Sequence, residues 1–208
     1  MQNISHAVMS QRHEPPDSPD NFPTPPWATR ALLTHVIIHS AYGETCLEPA
    51  CGAGHMSRVL EEYFPSVHSS DAFDSSCGTL RDFLKSPYPP GSYDWVITNP
   101  PFKHAEEFVL EGLQVARIGV AMLCRTVFLE SSGRYNNLFS TQPPSVFAQF
   151  VERVPMVKGR VDPKASTATS YAWFVWFKGH SHSRLAWIPP CRKSLERPED
   201  YPGPPATF

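Results

Sequence analysis

No apolar run in the sequence approaches the ~18 residues that a membrane-spanning helix needs, so no membrane span is expected. The chain opens without a charged-then-apolar leader pattern, and it contains no internal repeat. Its five cysteines, at positions 46, 51, 77, 124 and 191, are odd in number and show no paired metal-ligand spacing. A disulfide framework and a zinc module are therefore not expected; a reduced, cytoplasmic protein is. Cys46, Cys51 and Cys124 fall in apolar runs and read as small core residues. His180 and His182 lie two apart in a Pro-rich setting that reads as a tail, so no metal site is expected there. Neither sign of charge dominates. The 18 Lys and Arg against 20 Asp and Glu leave −2, which is not the balance of a polycation. Also missing are the Gly-x-Gly-x-x-Gly turn of dinucleotide-binding domains and the Gly-Lys-Ser/Thr of P-loops.

What the chain does have is length, proline and an uneven charge. Its 208 residues suit one domain with a substantial core. Residues 1–20 are polar, with Pro15, Pro16 and Pro19, and read as disordered; 21–179 read as the folded domain; 180–208 read as a Pro-rich tail. Positions 1–150 hold nine Lys and Arg against fifteen Asp and Glu, whereas 151–208 hold nine against five. A basic carboxyl-terminal part suits a polyanion, or is ordinary surface scatter.

Apolar patterning predicts alternating strands and helices. A helix is expected from Trp27 to about Ser40, a strand into Glu48, a helix from Met56 to Tyr63, and a strand from Val67 to Asp71. Further along come a strand from Trp95 to Ile97, a helix from Ala105 to Arg117, a buried strand from Ile118 to Cys124, and strands over Ser145–Val154 and Tyr171–Phe177. The aromatic alternation of the last strand predicts core on both faces. Arg125 to Ser140 reads as a loop with helical parts.

The stretch Tyr93-Asp94-Trp95-Val96-Ile97-Thr98-Asn99-Pro100-Pro101-Phe102 organises the rest. Two prolines stop the strand and push Asn99 into an extended backbone, leaving a stiff loop at a strand's carboxyl end. Ligands of open α/β sheets bind there. The Asn99 side-chain carbonyl and the Pro100 main-chain carbonyl are two acceptors that together suit one planar NH2 group. Phe102 offers a flat face for stacking. A plain Pro-rich turn is the alternative.

Further upstream, Leu47-Glu48-Pro49-Ala50-Cys51-Gly52-Ala53-Gly54 runs from a strand through glycines into a helix, whose first N–H groups could face an anion. Asp71 ends the next strand, where a carboxylate can accept two ribose hydroxyls; Asp74 is the nearby alternative.

Asn99-Pro100-Pro101-Phe102 resembles the catalytic motif of S-adenosylmethionine-dependent amino-methyltransferases. Leu-Glu-Pro-Ala-Cys-Gly-Ala-Gly resembles their cofactor-binding turn, and Asn21-Phe22-Pro23-Thr24-Pro25-Pro26-Trp27 resembles the segment that packs across the cofactor's methionine part in adenine methyltransferases. Arg81-Asp82-Phe83-Leu84 resembles the motif in which an acid binds the cofactor's adenine amino group and an aromatic ring stacks on it; a turn acid and a core Phe are the alternative. The order of the motifs is that of class I methyltransferases of the DNA N6-adenine type, and the carboxyl-terminal segments are similar to small phage- or prophage-type members.

The resemblance implies an α/β, Rossmann-like three-layer sandwich: a seven-stranded, mostly parallel sheet ending in an antiparallel hairpin. It implies S-adenosyl-L-methionine at Thr24, Pro25, Trp27, Glu48, Pro49, Ala50, Gly52, Asp71, Asp82, Phe83 and Asn99. It implies catalysis by Asn99, Pro100, Pro101 and Phe102. The acceptor would be the exocyclic N6 of adenine in DNA. Guanine N2 of rRNA, adenine of tRNA, a protein glutamine amide, or an inactive cofactor-binding subunit are the rival readings. Arg153, Lys158, Arg160 and Lys164, in the loop of the expected hairpin, could hold phosphates of DNA or RNA; a merely soluble tip is the alternative. Only 29 residues follow Gly179, too few for a separate target-recognition domain, so specificity would come from loops or a partner subunit.

Overall fold

A computed structural model describes residues 21–37, 43–73 and 76–201. The disorder expected for 1–20 and the alternative carboxylate Asp74 lie outside those residues. Eight strands form one sheet: β1 (Thr45–Glu48), β2 (Ser66–Asp71), β3 (Thr79–Leu80), β4 (Tyr93–Thr98), β5 (Ala116–Arg125), β6 (Val146–Phe150), β7 (Tyr171–Phe177) and β8 (Arg184–Ile188). Their spatial order is β3-β2-β1-β4-β5-β7-β6-β8. All neighbouring pairs are parallel except those that β7 makes with β5 and β6. The helices are α1 (Pro26–His35), α2 (His55–Leu60), α3 (Ala105–Val115), the single turn α4 (Ser132–Arg134), which continues into a π-helical turn at Tyr135–Phe139, and α5 (Arg192–Leu195).

Strand residues alternate between two cores. Cys46, Trp95, Ile97, Ala121, Leu123, Trp173 and Val175 face α1 and α2. Leu47, Val96, Val120, Met122, Phe174 and Trp176 face α3. Both faces of the sheet are thus covered, which is why its strands read as continuous apolar runs. The Trp173 indole also donates to the Ala28 carbonyl at 2.9 Å, pinning α1 to β7. Gly119 is required where β5 passes Trp95: a Cβ there would stand 2.7 Å from that indole.

The expected α/β sandwich is present, but the sheet has eight strands, not seven. The extra one, β8, comes from the segment read as a tail. It pairs parallel with β6 from Val146↔Arg184 to Phe150↔Ile188 and buries Ile188. β3 is only two residues long, and no helix joins it to β2 among the described residues.

Candidate active site at the carboxyl ends of the parallel strands

β1, β2, β4 and β5 end on the same side of the sheet, and their final residues or the loops after them converge. β1 ends on Glu48 and runs into the glycine turn. Gly52 and Gly54 both take positive φ, +49° and +75°, a backbone region unfavourable to other residues. A Cβ on Gly54 would collide with the Cys77 thiol, whereas one on Gly52 would meet nothing within 4 Å. The space over Gly52 is therefore open, and that glycine is needed for its conformation alone. The helix after the turn, α2, has six residues and so builds little macrodipole. The turn is held instead by a carboxylate: the Gly52 N–H donates to Asp71 Oδ2 at 2.9 Å, and the Phe73 N–H donates to Oδ1 at 2.9 Å.

Glu48 is 2 % exposed. Its Oε2 accepts a short hydrogen bond from the Ser57 hydroxyl, which in turn accepts one from Ser69 at 2.7 Å. Burial, joined by the nearby negative Asp71, pushes its pKa up to about 8 against the pull of Ser57. Pro49 beside it is buried, and Ala50 is half-buried at the start of the turn.

β4 ends at Thr98, and Asn99 follows. The Asn99 amide nitrogen donates to the Phe22 carbonyl at 2.8 Å. Only the NH2 of an amide can donate to a carbonyl, so the side-chain oxygen is the other atom. That oxygen is buried and has no hydrogen-bond partner. The hydroxyls of Thr98 and of Thr24, two residues past Phe22, are likewise buried without partners. Buried polar atoms are usually satisfied, so the orphans on Asn99 and Thr24, on the two segments joined by the Phe22 contact, suit incoming polar groups. Pro100 is buried; Pro101 and Phe102 are half-buried, and Phe102 opens a 3-10 turn. The Phe102 ring is not bare. Phe22 lies 5.6 Å away, Tyr171 6.4 Å away, and the Arg125 guanidinium sits over it at 4.0 Å.

Asp82, Phe83, Trp27 and Pro25 are each engaged within the protein. Asp82 is a turn acid: its Oδ1 accepts the N–H groups of Leu84 and Lys85 at 3.1 and 3.2 Å, and Lys85 Nζ stands 3.0 Å from Oδ2. Burial opposes its ionisation slightly, but these donors hold its pKa below the usual range. Phe83 is 1 % exposed and packs on Phe108 at 5.1 Å. Trp27 is fully buried, edge-on to Phe150, while Pro25 caps α1.

The loop between β6 and β7 does rise at this end. Its Met156 is buried with Sδ 4.0 Å from the Asn99 nitrogen, and its Gly159 N–H donates to the Asn21 carbonyl at 2.8 Å. Arg153, Lys158, Arg160 and Lys164 are exposed along it, with Arg160 paired to Asp162 at 3.2 Å. Two cavities of about 430 and 410 Å³ lie away from the site. The larger, beside Trp176 and Lys178, is at the opposite end of β5 and β7, so it has no part in this chemistry.

Sequence reasoning missed Ser57, Met156 and Arg125. Arg125 was legible by the rule that found Asn99: a polar residue closing a buried apolar strand. Nothing in the sequence points Ser57 or Met156 inward.

The residues suit S-adenosylmethionine by their donors and acceptors: carboxylates at Glu48 and Asp71, open space over Gly52, and a partnerless hydroxyl on Thr24. No family model matches the sequence, and no curated protein does. Solved structures do match. A modification subunit of a putative type I restriction enzyme from Vibrio vulnificus aligns over 87 % of this chain and 51 % of its own, with a TM-score of 0.56 and 14 % identity. The methyltransferase subunit of a type I restriction-modification system from Streptococcus thermophilus aligns over 87 % and 50 %, with 0.60 and 13 %. A predicted O-methyltransferase from Agrobacterium tumefaciens aligns over 78 % and 85 %, with 0.50 and 15 %. The chain spans about half the length of the first two. Its fold is shared with these three structures, two of them restriction-modification subunits and one a predicted O-methyltransferase.

Proposed function

We propose that this protein is an S-adenosylmethionine-dependent methyltransferase acting on the exocyclic N6 amine of adenine in DNA. The observation that carries the reading is the Asn99 side chain. Its nitrogen is committed to Phe22, and its buried oxygen lacks a donor. A flat primary amine supplies that donor. Accepting one hydrogen at Asn99 Oδ1 and the other at the Pro100 carbonyl draws both N–H bonds into fixed directions. The nitrogen lone pair is then turned out of conjugation with its ring. Phe102 holds the ring flat, and an extruded base is the form in which adenine reaches such a pocket. Positioning is the protein's main contribution. Asp71 and Glu48 would hold the cofactor's ribose hydroxyls and amino group, with Thr24, Pro25 and the Gly52 turn beside it. When bound, S-adenosylmethionine supplies an electrophilic methyl group.

Two of the similar structures are named as subunits of type I restriction-modification systems. By analogy, a partner subunit would supply target recognition. Five cysteines without a disulfide among the described residues suit work in the cytoplasm.

The test is transfer of labelled methyl groups into DNA, RNA and protein pools, with digestion to the modified unit. N6-methyladenine from DNA is expected. Asn99→Ala should lower transfer at least about a hundredfold, the scale on which a positioned polar group acts, while cofactor binding by calorimetry stays intact. Label recovered in guanine, in glutamine or nowhere sinks the adenine assignment.

A further inference from the structure

Arg125 closes β5, and its guanidinium covers the Phe102 ring at 4.0 Å. Charge balance does not explain the placement: among the described residues Arg125 makes no ion pair. Its Nε is buried without a hydrogen-bond partner. A planar cation on an aromatic face is favourable. A buried N–H with no acceptor is not. The seat thus holds Arg125 more weakly than a position where its five donors meet water or an anion.

The seat is also the acceptor site. Phe102 lies three residues past Asn99, whose orphaned oxygen faces the same need for a partner. Tyr171 stands opposite Arg125 in the sheet register, and its ring is 6.4 Å from Phe102. The Thr126 N–H donates to the Ser170 carbonyl, and the Ser170 hydroxyl accepts from exposed Arg153. A second cation therefore stands at the rim beside Arg125.

We propose that Arg125 is a displaceable cover on the Phe102 plate: a flat base entering to stack takes the guanidinium's place, and the released cation, beside Arg153, takes up a phosphate of the strand that carries the base. The inference rests on the reading that the acceptor is a base amine. It deepens that reading by requiring a base carried on a nucleic-acid strand. A glutamine amide brings neither a stacking ring nor a phosphate. Arg125 is then a positioning and selecting residue, touched by no covalent change.

The test compares wild type, Arg125→Ala and Arg125→Lys on adenosine, on an adenine-containing oligodeoxynucleotide and on the matching oligoribonucleotide. Steady-state methylation is followed, and strand binding is measured by fluorescence anisotropy over a salt series. Removing the side chain uncovers Phe102, so KM for adenosine should fall. For the strand, KM should rise about tenfold and the slope of log affinity against log salt should shrink by about one, the share of a single phosphate contact. Arg125→Lys keeps the charge without the plane, so it should keep the salt slope and still gain on adenosine. An unchanged salt slope in Arg125→Ala, or an adenosine KM that does not fall, overturns the proposal. Equal losses on all acceptors with a lowered melting temperature make Arg125 a fold residue and also overturn it. If wild type methylates nothing, the methyltransferase reading fails, and the anisotropy slopes still decide whether Arg125 meets a phosphate.

Discussion

Glu48 is the residue whose environment departs most from water. Its carboxyl moves from the ordinary 4.5 to about 8, first because it is buried and then because Asp71 is near. A raised pKa means that the folded chain holds a proton which the unfolded chain releases. Stability from this group is full below about pH 4.5 and is lost as pH rises towards 8, at up to about 1.4 kcal/mol per pH unit for one proton. Glu48→Gln keeps the shape without the titration. Thermal melts from pH 5 to 8.5 should show the wild-type melting temperature falling across that window and the variant's falling less; parallel curves would refute the assignment. The same residue shows how far single positions could be read. Glu48 and Asp71 end β1 and β2 and Asn99 follows the end of β4, so the strand pattern alone puts all three at one end of the sheet. Asp82 and Phe83 could be placed less well, because a local motif carries no register. Two and three residues on, the Leu84 and Lys85 amides hold the acid, and the α3 core holds the ring.

At the scale of elements, the apolar runs located most of the sheet, and boundaries moved by a few residues. The strand expected over Ser145–Val154 stops at Phe150, and the helix expected to reach Ser40 stops at His35. β8 escaped because five residues bounded by His, Ser and prolines carry too little pattern; backbone pairing with β6 makes the strand, with Leu185 and Trp187 left exposed. Beyond β8 the chain closes a clamp that no periodicity could reveal. Arg30 on α1, 3 % exposed, is gripped by Asp200 at 2.7 and 2.8 Å, by Glu62 beyond α2 at 2.7 to 3.2 Å, and by the Leu195 carbonyl at 2.9 Å. The last described residues thereby tie two helices to one another. Asp200→Ala leaves a buried guanidinium short of a partner, which should cost about 3 kcal/mol, or about 6–12 °C in melting temperature for a chain of this size. A shift under about 2 °C would show that Glu62 alone satisfies Arg30.

For the whole molecule, the sequence showed a basic carboxyl-terminal part but not where its charge would stand. The topology decides that. β7 runs antiparallel to β5, so Arg125 faces Tyr171 at the end where Asn99 lies, and the loop before Tyr171 must rise there. Four cations of that loop, Arg153, Lys158, Arg160 and Lys164, thus share an end with the site, while Lys178 and Arg184, beyond β7, lie at the far end beside the larger cavity and the start of β6. They are not equivalent. Arg160 is neutralised by Asp162, and Arg153 is committed in part to Ala168 and Ser170. Lys158 and Lys164, like the two arginines, are exposed on long side chains that can reach a phosphate. If the loop tracks a strand, Lys158→Ala with Lys164→Ala should weaken DNA binding about equally across sequences and reduce the salt slope by about two, since each contact contributes about one. Cofactor binding should not change, because the loop meets the site at Asn21 and Asn99. The measurement is anisotropy of a labelled duplex between low and physiological salt. An unaltered slope would return the loop to the status of a soluble hairpin tip and move the polyanion's path to the Arg125 side of the site.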